Sequence, residues 1–447
     1  MIQKNEEYIV DIIDMGYEGE GIAKIEGYTL FVKGAITGEK VKVKVLKANK
    51  DFGFAKLLEV IEKSPKRVEP VCPVFEKCGG CELQHLDYDA QLEHKTNMVK
   101  NTLRKSLGYE VNVEDAIGMC IPYNYRNKTQ YPVMNDKIGF YASRTHAIIE
   151  NEGCYIQNKY SDKLAKSTFE ILKKNGNTTY NEETKKGNLR HIVTRVGANT
   201  DEVMLMIITK ENKIKNSENF VKEVVDKYPE VTTIVQNINE KDGNVILGKK
   251  CVVLHGNGYI EDSIEGIRFK ISPLSFYQVN PTQTAQLYSV AKEYAELTGE
   301  ENVFDLYCGI GTIGLFVADK AKSVYGVEIV PEAIEDAKEN AKLNGITNAE
   351  FICGKAEEVI PQKYAEGKTA DVVFVDPPRK GCDEKLLETL KEMQAKKIVY
   401  VSCNPATLAR DLKYLTDNRY EVKKVQPVDM FPHTSHVESV TLLSCII

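Results

Sequence analysis

Apolar and polar positions follow three different rhythms along this chain. Over about the first sixty residues the period is two: Tyr8 to Ile13, Tyr28-Thr29-Leu30-Phe31-Val32 and Lys40-Val41-Lys42-Val43-Lys44-Val45 are short β-like runs set among glycines at 16, 19 and 21. Strands with one buried face read this way. The last run sends Lys40, Lys42 and Lys44 to one face and its valines to the other, which predicts a small β-barrel with a basic outer strand. From about 110 to 270 the pattern is mixed but leans to strands, as in Ile138-Gly139-Phe140-Tyr141 and Glu202 to Ile208. Beyond about 270, apolar runs alternate with helical stretches, the signature of a doubly wound parallel sheet. Asn302 to Tyr307 is its first strand, Ser323 to Glu328 the next, and Tyr420 to Val425 with His436 to Leu443 close the chain as a hairpin on the sheet edge.

A length of 447 residues suggests about three domains, and 42% hydrophobic residues is ample for packed cores. No basic start leads into an apolar stretch and no apolar run is long enough to span a bilayer, so the expectation is a cytoplasmic protein with no membrane partner. Eleven cysteines, an odd number, point to free thiols, a metal site or catalysis in a reducing compartment, not a disulfide framework. A net charge of -6 does not advertise a nucleic-acid binder. Local surfaces must supply any such binding, and basic and aromatic residues interleave at Tyr123 to Lys128 and then at Arg144, His146, Arg190, His191 and Arg195, as a single-stranded RNA surface needs.

Candidate chemistry comes from four stretches. In Cys72-Pro-Val-Phe-Glu-Lys-Cys78-Gly-Gly-Cys81 the close spacing lets three sulfurs converge, and three thiolates need a fourth ligand. Cys154 is the best candidate on local context, with Cys120 also open on spacing. Zinc and an iron-sulfur cluster both suit four cysteines. Gly309, Gly311 and Gly314 match a dinucleotide fingerprint, and Glu328 ends the next strand where an acid takes ribose hydroxyls. That fits NAD as readily as S-adenosylmethionine. The loop Asp376-Pro377-Pro378-Arg379 at the carboxyl edge of the sheet tips the balance to a methyltransferase, because two prolines make a stiff wall for a flat base. Finally, the apolar strand Val399 to Ser402 runs into Cys403, with Asn404 as an N-cap and Pro405 at the first helical position. A cysteine against the open N–H groups of a helix is biased toward thiolate. The plainer reading is a small buried apolar side chain.

The stretches Gly19 to Ala23, Phe31 to Ala35 and Gly38 to Val41 resemble a TRAM domain, an OB-like RNA-binding barrel. Phe276-Tyr277-Gln278-Val279-Asn280, Asp305 to Thr312, Asp376-Pro377-Pro378-Arg379, Ser402-Cys403-Asn404-Pro405 and Asp429 to Glu438 together resemble the RNA uracil-5-methyltransferase family over essentially the full chain. The resemblance implies a multi-domain α/β fold: an N-terminal OB-like barrel at 1–62, a central β-rich iron-sulfur domain at 63–270 and a C-terminal Rossmann-like methyltransferase domain at 271–447. It implies that Cys72, Cys78, Cys81 and Cys154 hold a [4Fe-4S] cluster. It assigns Cys403 as the nucleophile that adds to uracil C6, Glu438 as the base that removes the C5 proton, and Gln278, Tyr307, Glu328 and Asp376 as contacts to S-adenosylmethionine.

The expected reaction is therefore 5-methyluridine formation. Transfer-RNA members of the family compared usually lack both barrel and cysteine set, so carrying both points to a loop or bulge of 23S ribosomal RNA, with no obligate protein partner. Transfer RNA is the alternative substrate. An RNA cytosine-5 methyltransferase would carry a second proline-cysteine motif, which is absent, and a non-catalytic iron-sulfur RNA binder would not need the intact Cys403 and Glu438 motifs. Cys251, Cys308, Cys353 and Cys445 are expected in cores, Cys382 in a loop, His433 and His436 in packing roles, and Asn280 as a helix cap.

Overall fold

The computed structural model describes residues 2–446. Strands β1 (Glu7–Met15), β2 (Gly21–Ile25), β3 (Tyr28–Lys33), β4 (Lys40–Ala48) and β5 (Phe52–Glu62) close into a barrel in the order β1-β2-β3-β5-β4. Period-two alternation dictates its interior: Val10, Ile12, Leu30, Val32, Val41, Val43 and Val45 fill the core. The β4 lysines face outward as expected, but acids answer them. Lys40 pairs with Glu62 at 3.3 Å and Lys42 with Glu7 at 3.0 Å, so this face is largely neutralised and is a weaker basic strand than the sequence pattern implies.

Helix α1 (Tyr88–Leu107) starts on Asp87, whose carboxylate accepts from the Ala90 N–H, and ends at Gly108 in the left-handed region (φ +83°). That conformation suits glycine. Although it follows the barrel in sequence, α1 buries Val99, Leu103 and Leu107 in the core of the C-terminal sheet. The tie is also polar. Lys95 Nζ lies 2.5 Å from Asp429 Oδ1, with neither side chain exposed, and donates to the Phe431 carbonyl at 3.1 Å, while Tyr88 donates to Asp429 Oδ2 at 2.9 Å.

The central segment is a mixed six-stranded sheet in the order β13-β12-β11-β10-β6-β7. Its strands are β6 (Lys128–Met134), β7 (Lys137–Ile138), β10 (Leu189–Val196), β11 (Val203–Thr209), β12 (Val231–Ile238) and β13 (Lys250–His255). A small hairpin, β8 (Phe140–Tyr141) and β9 (Ile148–Ile149), stands apart from it. Helices α2 (Lys159–Lys174) and α3 (Ser217–Lys227) share one apolar core with it, so the segment is less purely β than expected. The opposite side chains, including Val193, Met204, Met206 and Val235, merge with the C-terminal core, as do Ile260, Ile264, Phe269 and Ile271 of the hairpin β14 (Ile260–Ile264) and β15 (Ile267–Ile271).

The C-terminal sheet is seven-stranded in the order β18-β17-β16-β19-β20-β22-β21. Strands β16 (Asn302–Leu306), β17 (Ser323–Glu328), β18 (Ala349–Cys353), β19 (Val372–Val375) and β20 (Lys397–Ser402) are parallel. The closing hairpin, β21 (Tyr420–Val428) and β22 (Glu438–Cys445), runs antiparallel with β22 inserted between β20 and β21. Helices α4 (Pro281–Ala295), α5 (Thr312–Val317), α6 (Pro331–Leu343), α7 (Ala356–Ala365), α8 (Glu384–Met393) and α9 (Pro405–Thr416) complete the layers. The strand order reverses between β16 and β19, and in such sheets ligands bind beyond the carboxyl ends at this switch point. Among the described residues no helix is long and apolar enough to cross a membrane.

Candidate active site

The turn from β20 to α9 folds as its residues dictate. Asn404 Oδ1 accepts from the Ala406 N–H at 3.0 Å and Pro405 opens the helix. Asn404 and Thr407 both donate to the Arg379 carbonyl, at 3.3 and 3.2 Å, so the cysteine turn clasps the Asp376-Pro377-Pro378-Arg379 loop. Ser402 and Ser439 are cross-strand partners in the β20–β22 ladder. Cys403 and Glu438, the next residue on one strand and the preceding one on the other, therefore leave the same end of that ladder. Glu438 is 5% exposed, which excludes an edge-strand surface charge.

The electrostatics correct one expectation. A helix N-terminus was expected to bias Cys403 toward thiolate, yet its thiol is pushed up to about 11, first by burial and then by the negative charges of Glu438 and Asp376, with Arg379 opposing. Desolvation and two like charges outweigh the partial charge of a helix end. Burial also pushes the Glu438 carboxyl well above the usual carboxylate range, Asp376 adding to it and Arg379 again opposing. Burial alone raises Asp376 to about 7. All three ionisable groups are thus held above their ordinary ranges, with one guanidinium nearby.

On the other side of the Asp376 loop the glycine turn meets Glu328. Its Oε2 accepts from the Gly309 N–H at 3.2 Å and its Oε1 from the Val330 N–H at 2.9 Å. Tyr307 takes φ +63°, a conformation costly for a tyrosine and typical of functional turns. Gln278 is buried, and its carbonyl accepts from Asn127 Nδ2 at 3.1 Å. Asn280 caps α4 as expected and also donates to the Met430 carbonyl at 3.0 Å.

The sequence reading assigned no role to Asp305. It is fully buried, with Oδ2 accepting from the Gly314 N–H at 2.8 Å and Oδ1 without a protein partner. A Cβ on Gly314 would stand 2.8 Å from that carboxylate, so the third glycine is there for close approach. Burial, then the Asp376 and Glu328 charges, hold Asp305 at about 7, against the Gly314 N–H. An acid inside an apolar strand was the available signal.

Cys72, Cys78, Cys81 and Cys154 all line one cavity of about 470 Å³. Cys120 is exposed and does not line it. The cavity runs on to Arg126, Arg379 and His436 and so abuts the Cys403 turn. Gln84 bridges two of the cysteines, accepting from the Cys72 N–H at 3.2 Å and donating to Cys81 Sγ at 3.3 Å. Burial raises the Cys78, Cys81 and Cys154 thiols, Cys154 to about 11. Among the described residues no three His, Cys, Asp or Glu side chains approach as ligands of one metal ion do.

Other residues fall elsewhere than expected. Arg190, His191 and Arg195 are buried and form no RNA surface. Arg190 donates to the Asn239 and Lys241 carbonyls, and Arg195 to those of Ser272 and Ser275. Cys382 lies in a loop as expected, but buried, with its N–H on Asp411 Oδ2 at 2.8 Å. Cys308 is a core residue but Cys353 is exposed. His433 stacks on Tyr123 at 4.5 Å between centroids, the packing role expected of it.

Comparison with known proteins places these features. The family described as tRNA (uracil-5-)-methyltransferase matches residues 207–446, and the TRAM domain matches 3–58. An uncharacterized RNA methyltransferase of Listeria monocytogenes (strain F2365) is 52% identical, covering 99% of this chain and 98% of its own. One from Clostridium tetani is 49% identical over 99% and 97%. Among solved structures, Pyrococcus abyssi tRNA (uracil-54, C5)-methyltransferase in complex with S-adenosyl-L-homocysteine is 30% identical, with a TM-score of 0.80, covering 97% of this chain and 99% of that one.

Proposed function

This chain belongs to the tRNA (uracil-5-)-methyltransferase family, and on that premise we propose that it moves the methyl group of S-adenosylmethionine to C5 of a uridine in structured RNA through a covalent adduct on Cys403. The observation that carries the proposal is the shared ladder end of Cys403 and Glu438 beside the Asp376 loop. Uracil C5 is too weak a nucleophile to attack a sulfonium unaided. Cys403 loses its proton to water and adds as thiolate to C6, and the C5=C6 electron pair becomes an enolate with carbanion character at C5. C5 takes the methyl carbon, and S-adenosylhomocysteine leaves with the C–S bonding pair. Glu438 as carboxylate then removes the proton from C5, the double bond re-forms, and the Cys403 thiolate is expelled.

Gln278, Tyr307, Glu328 and Asp376 would hold the methyl donor. Tyr307, Glu328 and Asp376 stand at the carboxyl ends of β16, β17 and β19 around the switch point, which supports this, Glu328 offering a carboxylate to ribose hydroxyls and Asp376 bordering both donor and base. We divide the chain functionally at 1–62 for RNA grip, 63–270 for the cysteine-bearing segment and 271–447 for catalysis, with α1 lent by the second part to the third.

Cys72, Cys78, Cys81 and Cys154 would hold a [4Fe-4S] cluster. What supports the reading is that the four sulfurs line one cavity, four thiolates being the donor set such a cluster takes. A bound cluster would supply a covalent crosslink between the Cys72–Cys81 loop and the Cys154 segment. No step of the methyl transfer needs it.

The expectation of 23S ribosomal RNA rested on the barrel and the cysteine set together. The Pyrococcus transfer-RNA enzyme covers 97% of this chain, so its match takes in the barrel, which by itself no longer separates the two substrates, and transfer RNA stands as the second reading. Incubating the protein and labelled S-adenosylmethionine with unmodified 23S and transfer-RNA transcripts, followed by nucleoside mass spectrometry, decides between them. Absence of 5-methyluridine from both defeats the proposal.

A further inference from the structure

We propose that Tyr17, on the first turn of the amino-terminal barrel, is a positioning residue that stacks on the nucleotide beside the uridine entering the Cys403 site. The inference rests on the uracil-methylating reading above. Between β1 and β2 the chain turns tightly: the Gly16 N–H donates to the Glu20 carbonyl at 2.7 Å and the Gly19 N–H to the Gly16 carbonyl at 3.0 Å. Gly19 sits at φ +79°, and a Cβ there would meet Leu83 Cδ2 at 2.8 Å. The turn thus lies flush on Glu82–Leu83. The N–H groups of both these residues donate to the His433 carbonyl, at 3.0 and 2.9 Å, and Glu82 Oε2 accepts from the Ser435 N–H at 3.3 Å. Glu438 begins its strand three residues later.

Two further contacts join this turn and β3 to the loop between β8 and β9, Glu18 with Arg144 at 3.4 Å and Lys33 Nζ with Ser143 Oγ at 2.9 Å. A turn held this closely to the catalytic loop still leaves Tyr17 43% exposed. The ring is thus half-exposed on a turn that Glu82 and Leu83 tie to the His433–Ser435 loop leading into Glu438; burial first raises its phenol, with Arg379 opposing and Cys403 and Glu438 adding. A uridine that leaves its stack to reach Cys403 uncovers the faces of its neighbours, and an aromatic ring at the rim of the site is the natural platform for one of them. Stacking of this kind is sequence-tolerant, so Tyr17 would contribute affinity and register, and the base identity would be read deeper in the site.

The test uses full-length protein and its Tyr17→Ala, Tyr17→Phe and Tyr17→Trp variants with a short single-stranded RNA carrying 2-aminopurine next to a uridine. Wild type, Phe and Trp should bind it and quench its fluorescence, whereas Ala should bind about tenfold more weakly without quenching. In methylation of the RNA transcripts, Ala should raise the RNA KM by a similar factor of about ten while kcat and donor affinity stay within about twofold. An Ala variant that binds and quenches like wild type overturns the inference, as does a Phe variant damaged as much as Ala. Quenching that follows ring content in a protein that methylates no uracil supports the stacking and overturns only the reading it rests on.

Discussion

Cys403 and Glu438 lie one step beyond the Ser402–Ser439 pair, at the open end of the ladder joining β20 to β22. Thirty-five residues of sequence separate them, and one register brings them together. Their nearness has a chemical result: after burial, the Glu438 charge is the next cause that raises the Cys403 thiol.

The two residues should fail differently. Cys403→Ala should abolish methylation and any covalent RNA adduct. Glu438→Gln should still add and transfer methyl but accumulate methylated adduct, with turnover reduced by about 10²–10⁴. Denaturing electrophoresis of protein with labelled RNA separates the outcomes, and methylation by the alanine variant would defeat the mechanism.

Methylation should accelerate with pH. Cys403 must reach the thiolate from a thiol held at about 11, and Glu438 must shed a proton from a carboxyl held above its usual range. Single-turnover rates measured between about pH 6 and 9 should therefore rise throughout. A plateau already reached at the low end would show that both groups ionise in the resting enzyme.

Stability should move the other way. With Asp305 at about 7 in the folded protein and about 3.9 in an unfolded chain, its effect is most favourable below the unfolded value and is lost as pH rises through 7. Asp305→Asn removes this contribution while keeping an acceptor for the Gly314 N–H, so the stability of the variant relative to wild type in thermal unfolding should rise between about pH 4 and 7. Parallel pH profiles for the two proteins would refute the assignment.

Lys95 and Asp429 form a buried pair, and leaving one charge alone costs about 3–5 kcal/mol. Lys95→Met should destabilise the protein by about that amount in urea unfolding, and the double variant Lys95→Met, Asp429→Leu should recover part of it. Equal destabilisation by single and double variants would argue against coupling.

Anaerobically purified protein should contain iron and sulfide with absorption near about 400 nm, as iron-thiolate sites have, and Cys154→Ala should remove it. Cys120→Ala should leave it intact, because Cys120 lies outside the cavity. Stoichiometric zinc without iron would overturn the cluster.

Much of this was legible in the sequence where local rules decide. Alternation in Lys40 to Val45 predicted a barrel strand, Asn404 and Pro405 predicted the start of α9, and the apolar run before Asp376 predicted a buried parallel strand. What escaped depended on partners distant in the chain. Nothing near Lys40 or Lys42 announces that Glu62 and Glu7 will neutralise them. The same holds for Arg190 and Arg195, whose guanidinium groups turn inward to satisfy backbone carbonyls. The Cys403 thiol was misjudged because the helix end is local, whereas the carboxyls that oppose ionisation arrive from two other strands.

The placement of α1 bears on how the molecule divides. Its apolar side completes the core of the catalytic sheet, so a fragment beginning at 271 would carry an uncovered groove where Val99, Leu103 and Leu107 belong, and should precipitate or scavenge other chains. The catalytic body instead takes in α1 and, through Val193, Met204, Met206 and Val235, one face of the six-stranded sheet, together with the β14–β15 hairpin. Neither that helix nor that sheet can be exchanged without uncovering the core on which the catalytic strands rest.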